Sequence, residues 1–595
     1  MKNFRRILSA FMTMLMVLSF FTLLNSYAYV NDSDMDFSYY INEDNEAVFT
    51  AYRGDEADLV IPETLGGYPV TAVSGGGIIE WGENVKTITL PSTVTEIHGG
   101  AFHCLNITHI KLNEGLKRIG IQAFSGCTQL ESITLPESLE SLGDGAFDSC
   151  KKLSSINIPE KLTILPDAVF NACNFESFEI PAHIRKVGSR LFSLNPDFRE
   201  ITVDEENPYY CAENGFLMNK EKTELLFAAP AFSQLKGQVP ASVKKINEYA
   251  FVGCSSVDEI ALPEGLEEIE ANAFCGCGAE TLTIPDSVTK IGTGAFSNCD
   301  NLEEVTIGDG LTVVEPFLFA YCDNLETVNF GSSVKTIEYE AFIDCSSLKT
   351  VNLNDGLEVI KQQVFRNCTN LEYLVMPSTV TEIENDLFRD CKKLINVTLS
   401  ENLTAISQNC FSGCVELRWI DIPDSVTEIH PDAFYGCVDL REVNFGKGAI
   451  SISDNAFSDC TSLTRITIPD NVTYISQYAI GYSTYLNSHM SREYVLCPWV
   501  IIYANKGSVA ADYAREKGLL LGVLDNEIRP FSKGDVNGDG KISVQDATAI
   551  QKHLANLIDL EQIQKDAADV AGTPSLTIGD ATAIQKYLAG ITKEL

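Results

Sequence analysis

Cysteine recurs along this chain at a fixed interval. Cys104, Cys127, Cys150 and Cys173 stand 23 residues apart. After an interruption the series resumes as Cys254, Cys277, Cys299, Cys322, Cys345, Cys368, Cys391, Cys414, Cys437 and Cys460, with one step of 22 and the rest 23. Fourteen of the eighteen cysteines therefore belong to a period and not to pairs. A period of about 20–50 residues marks stacked repeats, in which each unit buries its apolar face only against its neighbours.

One unit, CTQLESITLPESLESLGDGAFDSC (127–150), places apolar residues at Leu130, Ile133, Leu135, Leu139, Leu142, Ala146 and Phe147. Ile133 and Leu135 alternate with polar neighbours, the period of a half-buried strand. Pro136 has no amide hydrogen to give and ends that strand. A return limb then carries Ala146 and Phe147 to the core. The same grammar recurs at Leu348, Val351 and Leu353, at Leu440, Val443 and Phe445, and at Leu463, Ile466 and Ile468. Cysteine suits this scheme as a small buried hydrophobe. Stacked strand positions lie about 4.8 Å apart, somewhat too far for a relaxed disulfide between Cβ atoms. The ladder thus reads as free buried thiols, with Cys211, Cys275, Cys410 and Cys497 off it and their pairing open.

Repeated forms such as IPDSVTKIGTGAFSNC (284–299) and IPDSVTEIHPDAFYGC (422–437) resemble the BspA-type leucine-rich repeat of bacterial surface proteins and some protozoan parasites. The resemblance extends over roughly residues 36 to 524. It implies an α/β repeat solenoid of about 23-residue period. IPETLGGYPVTAV (61–73) is similar to that family's opening unit, and VIIYANKGSVAADYAREKGLLL (500–521) to its closing helical cap. The longer interval from Leu194 to Lys245 resembles its enlarged repeat. The organisation this implies is an opening unit at 29–90, repeats over 91–492 with the enlarged repeat at 196–247, a cap at 493–524 and a linker at 525–533.

The first residues set the compartment. Lys2, Arg5 and Arg6 form a positive region, Ile7 to Leu24 an apolar core, and Ser26 and Ala28 a small-residue cleavage site, so 1–28 reads as a signal peptide. The apolar stretch could instead just span a bilayer uncleaved, but the cleavage site favours a secreted protein that is extracellular or held at the surface by a scaffold. Nothing later in the sequence is apolar enough to span, and the final ITKEL carries no sorting signal or hydrophobic tail. A balance of 43 basic against 82 acidic residues, −39 overall, argues against nucleic acid and anionic membrane as partners.

Recognition surfaces are sought on the strands. Between the two apolar strand positions stand Thr134, Asn157, Thr306, Asn329, Asn352, Thr398, Asn444 and Thr467. These short polar side chains in register suggest a structural ladder. Two positions earlier the column varies as Ser132, Ser155, Glu304, Thr350, Tyr373, Asn396, Trp419, Glu442 and Arg465. Tyr373 and Trp419 fall two repeats apart, roughly 10 Å at the strand spacing. They are the candidate ligand contacts, for sugar rings of a polysaccharide or for a protein partner. Seven histidines, with no HExxH pair, no GxSxG elbow and no phosphate-cradling loop, point away from catalysis.

The chain closes on different chemistry. GDVNGDGKISVQDATAIQKHLA (534–555) sets Asp535, Asn537, Asp539, Lys541, Ser543 and Asp546 at positions 1, 3, 5, 7, 9 and 12 of a loop, with Gly540 at the sharp turn. Calcium takes six to eight oxygens in such a loop. Thirty-four residues on, SVQDATAIQKHLANL (543–557) is echoed by TIGDATAIQKYLAGI (577–591). Duplicated loop-helix units of this size resemble a type I dockerin, over 534–595, which implies a small all-α EF-hand-like module binding calcium. The second loop keeps Asp569, Thr577 and Asp580 but has Ala571, Thr573 and Pro574 where ligands and glycine belong, so its site is degenerate. The resemblance implies a cohesin module of a scaffolding protein as partner. It assigns cohesin contact to Val544, Gln545, Gln551 and Lys552, and to Ile578, Gly579, Gln585 and Lys586. The combined expectation is a secreted, non-catalytic recognition or adhesion protein plugged into a cellulosome-like assembly. The alternatives are an accessory or unfamiliar hydrolase in polysaccharide degradation, and a free adhesin with a vestigial dockerin.

Overall fold

The computed structural model describes residues 29–31, 36–75, 84–231, 238–255, 257, 259–448, 451–486 and 492–524, with 536, 542, 544–554, 581 and 584 of the C-terminal segment. The chain divides into two compact units, Met1–Gly278 and Ala279–Leu595.

The first unit opens on three antiparallel strands, Tyr29–Asn31 against Phe37–Ile41 and Phe37–Ile41 against Ala47–Tyr52. The turn between the last two is fixed by Asn42, whose Oδ1 accepts the amides of Asp44 (3.0 Å) and Glu46 (2.9 Å). Tyr68–Val73 then pairs parallel to Ala47–Tyr52, and short strands Glu96–Ile97, Arg118–Ile119 and Ser141–Leu142 continue in parallel. Further along, Tyr210–Glu213, Phe216–Asn219 and Glu224–Ala228 form an antiparallel insertion. Its first turn is made by Asn214 and Gly215, both at positive φ (52° and 79°), the Asn-Gly pairing that tight hairpins favour.

The second unit shows the coil plainly. Thr281–Ile284, Glu304–Ile307, Thr327–Asn329 and Thr350–Asn352 pair in parallel at one repeat's offset, Thr281 against Glu304, Glu304 against Thr327 and Thr327 against Thr350. A second ladder, not foreseen from the sequence, is built from two-residue strands: Val313–Val314, Thr336–Ile337, Val359–Ile360 and Glu382–Ile383. Between the ladders the repeat proline starts a tight turn, Val380 N–H donating to Pro377 O (3.1 Å) and Val426 N–H to Pro423 O (3.1 Å). The return limb consists of turns and not helices, and it too bonds coil to coil, as in Phe388 N–H to Cys410 O (2.8 Å). The residue before each ladder cysteine from Cys127 onward sits at positive φ, for example Asn298 (57°), Asn367 (62°), Asp390 (62°) and Gly436 (72°). That conformation is why the position so often carries Gly, Asn or Asp.

The core of each coil is a stack. Phe319, Phe342, Phe365, Phe388, Phe411, Phe434 and Phe457 follow one another at centroid distances of 5.0–5.8 Å with rings within 18° of parallel. Beside them run the thiols. No cysteine forms a disulfide, and every ladder member from Cys127 onward is buried, whereas Cys104, which sits at the left-handed turn position (φ 60°) one residue before the rung, is exposed. The buried thiols do more than fill space. Cys345, Cys368, Cys391, Cys414 and Cys437 each donate to the carbonyl of the phenylalanine 26 residues earlier, at 3.0–3.3 Å. A methyl group of the same size would leave that carbonyl without this partner. Cys410, off the ladder, takes the place that alanine holds before the core phenylalanine.

The second unit's last coil is covered by a helix, Val509–Lys517. Ser508 caps it, accepting from Ala511 N–H at 3.2 Å, and Gly518 ends it at φ 71°. Its Tyr513 hydroxyl accepts the amide of Ile480 (3.2 Å) and donates to the carbonyl of the same residue (2.9 Å), so the helix closes the open stack. Among the described residues, no helix is long and apolar enough to cross a membrane.

Candidate functional site

Strand alternation creates two outward columns on the first ladder. In the polar column the side chains are tied to one another. Asn352 Nδ2 donates to Asn329 Oδ1 (2.7 Å), Asn329 Nδ2 to Thr306 Oγ1 (3.5 Å), and Asn444 Nδ2 to Asp421 Oδ1 (2.8 Å). In the first unit Asn157 bonds both the amide and the carbonyl of Leu135, each at 2.8 Å. Groups held this way span neighbouring coils and stabilise the stack, with little capacity left for a ligand.

The other column differs. Tyr373 is 54% exposed and Trp419 38%, and both begin strands whose register sets Tyr373 against Asn396 and Trp419 against Glu442. Asn396 stands between them and donates through Nδ2 to Trp419 O at 3.1 Å. The structure adds a residue that the sequence reading passed over. Val375, 66% exposed, interrupts the polar column two residues after Tyr373 and so shares its face. The signal was present, since an apolar residue breaks an otherwise polar column there. Ser132 and Ser155, Glu304, Thr350, Glu442 and Arg465 are also exposed on their strands. Toward the cap, Arg441, Glu442, Asn444, Arg465, Thr467 and Tyr503 line a shallow groove, with Arg441 3.6 Å from Asp439. An aromatic and aliphatic strip beside a polar groove can stack on sugar faces or anchor a protein side chain.

Among the described residues, no three of the His, Cys, Asp and Glu side chains gather as a metal site. Asp535, Asn537, Asp539, Lys541 and Ser543 of the calcium loop lie outside the described residues, as do Asp569, Thr577, Asp580, Ile578, Gly579, Gln585 and Lys586. Val544, Gln545, Gln551 and Lys552 fall in the helix Val544–Leu554, with Gln551 half-buried. The informative residue is Asp546. It is fully buried in the helix's first turn, and its Oδ1 accepts the Val536 amide at 2.8 Å. Position 12 of the loop thus reaches back to position 2. Burying a carboxylate is costly unless a cation or donors compensate it, so the residue fits a cation-binding loop.

Comparison with known proteins bears on both parts. A family model described as the BspA type leucine rich repeat region, in six copies, matches residues 80–199, 227–349, 267–395, 313–439 and 358–487. The type I dockerin domain model matches residues 533–589. Neither is a catalytic domain. A search of curated proteins finds no match. Among solved structures, a leucine-rich repeat protein from Eubacterium ventriosum is 24% identical with a TM-score of 0.51, over 61% of this chain and 94% of that one. A leucine-rich repeat protein from Bacteroides ovatus is 26% identical (TM-score 0.39, 68% and 100% covered). A leucine rich cell surface protein from Faecalibacterium prausnitzii is 22% identical (TM-score 0.39, 71% and 95% covered).

Proposed function

The chain belongs to the BspA-type leucine-rich repeat family, and from that premise we propose that it is a secreted recognition protein, carried on a cohesin-bearing scaffold by its calcium-loop module. The dockerin match at 533–589 carries the reading. Asp535, Asn537 and Asp539 would supply side-chain oxygens, Lys541 its carbonyl, Ser543 a contact through water and Asp546 the closing carboxylate. Calcium supplies the charge that lets these acidic groups converge and the small module order. The second loop, with Asp569, Thr577 and Asp580 alone, holds calcium weakly or not at all. On the ordered module, Val544, Gln545, Gln551 and Lys552 form one cohesin-facing set and Ile578, Gly579, Gln585 and Lys586 the duplicate. Capture of mature protein by a cohesin panel, with calcium and again with chelator, tests this. Capture that needs calcium supports it, and a folded, calcium-loaded chain that no cohesin retains sinks it.

The repeats do the recognising. Exposed Tyr373, Val375 and Trp419 on a rigid strand face favour a polysaccharide laid along the column, with a surface protein as the other ligand class. Trp419→Ala should abolish glycan binding and leave the melting temperature unchanged. A flat glycan array for the parent protein would turn the search to protein ligands.

A further inference from the structure

The outward columns change character at the cap. Arg465–Thr467, Ile501–Ala504 and Leu520–Val523 pair in parallel, with Arg465 opposite Ile501 and Ile501 opposite Leu520. The outward position that carries Trp419, Glu442 and Arg465 in the preceding coils therefore becomes Ile501 and then Leu520. The second outward position, Asn444 and Thr467 upstream, becomes Tyr503 and then Gly522. A Cβ at Gly522 would lie 2.4 Å from the Tyr503 ring, so glycine is what lets that ring lie across the sheet. The last two strands thus turn an apolar patch outward where their predecessors are polar.

That patch is covered. Ile501 and Leu520 are only 5% and 4% exposed, in one apolar cluster with Val536, Ala547, Ala549, Ile550, Ala581 and Ile584, against which Trp499, Tyr503 and Ile542 also pack. The helix Val544–Leu554 buries Asp546, Ala547, Ala549 and Ile550. At about 100° per residue these span roughly 160° of its circumference, more than the roughly 100° stripe that suffices against one neighbour. The positions of Val544, Gln545, Gln551 and Lys552 fall on the remaining arc.

We propose that the outer face of the cap sheet, centred on Ile501 and Leu520, is a docking surface for the C-terminal module of the same chain. Module and cap then move as one body, and whatever binds the module holds the solenoid at a fixed orientation. The packing alone supports this, independently of whether the module's partner is a cohesin.

The test uses the full mature chain in calcium. Ile501→Arg with Leu520→Glu gives the cap the residue types that Arg465 and Glu442 show the same column tolerates, so the solenoid should fold unchanged. Protease cleavage between residues 524 and 536 should accelerate at least tenfold in the double variant, with the solenoid's melting midpoint unmoved. Equal cleavage rates in parent and variant would overturn the proposal. Should the variant misfold, hydroxyl-radical footprinting of the parent chain decides. Ile501 and Leu520 should be as protected as their inward neighbours Ile502 and Leu521, and oxidation of the outward pair at severalfold higher rates would overturn docking.

Discussion

The repeat coils and the calcium-loop module solve the same problem, a small unit with too little core, in opposite ways. A coil of 23 residues borrows its core from identical neighbours. Phe388 lies between Phe365 at 5.8 Å and Phe411 at 5.3 Å, and Cys391 reaches the Phe365 carbonyl at 3.0 Å. Among its described residues the module shows a small apolar cluster and one buried carboxylate, Asp546. Order in the coils is redundant and owes nothing to a ligand. On the function proposed above, order in the module is conditional on a cation, which would make attachment switchable while the repeats stay folded. Asp546→Ala should break this contrast most sharply. Cohesin capture should be abolished, while the main melting transition of the repeats stays in place. A shift of that main transition would mean the two parts do not differ as argued.

Removing a ring from the stack tests the other side. Phe388→Ala deletes a fully buried side chain and leaves a cavity between two rings, at a cost of about 3–5 kcal/mol. Denaturant titration should show this loss with calcium present or chelated to the same extent. Because each coil touches only its neighbours, hydrogen exchange should rise near residues 360–415 well before it rises toward the ends of the second unit.

How much of this was legible follows from the same contrast. Period, inward residues and free thiols could be read because fourteen cysteines and their phenylalanines repeat at fixed offsets, and stacking turns a sequence offset directly into a spatial neighbour. The second ladder was missed because its strands are two residues long, too short for alternation to show in Thr336–Ile337 or Glu382–Ile383. Burial of Cys104 failed because the first interval is 22 residues from Phe102 to Phe124 and not 23, so Cys104 falls one position early, at the left-handed turn (φ 60°) that Gly126 (φ 74°) takes in the next coil. The apolar cap face was hidden too. In VIIYANKG, Ile501 and Ile502 look alike, and only the register with Arg465 tells which one faces outward. The calcium-loop donors from Asp535 to Ser543 lie outside the described residues, and of the loop's acidic ligands the fold describes Asp546. What Asp546 touches, the Val536 amide, required the fold.

The thiols sharpen the comparison at high pH. Burial pushes Cys127 and Cys173 up to about 12, from an ordinary value near 9. A group whose folded value is raised stabilises the fold fully below its unfolded value, and that contribution is lost as pH climbs through the folded one. The repeats should therefore hold constant stability up to pH 9 and weaken progressively between 9 and about 12. Cys127→Ala should flatten that slope. At pH 8, only the exposed Cys104 among the ladder thiols should react quickly with a thiol reagent, and rapid labelling of buried rungs in native protein would contradict the packed ladder.

The smallest effect expected lies on the coil surface. Lys335 Nζ stands 3.0 Å from Glu358 Oε1 and Lys349 Nζ 2.6 Å from Glu326 Oε1, each pair bridging adjacent coils. These rungs look like staples, yet all four side chains are about half exposed or more (49–61%), where water and salt screen the attraction and holding long side chains costs entropy. Exposed pairs of this kind contribute about 0–1 kcal/mol. Lys335→Ala should shift the denaturation midpoint by about 0.5 kcal/mol at most, and the shift should vanish in 1 M salt. In a chain of net charge −39 a lost lysine also removes a counter-charge from its surroundings, so this small effect should be larger at low ionic strength. A cost approaching that of Phe388→Ala would mean the coils are held by their surface charges, and the distinction between a redundant core and an ion-dependent module would fall.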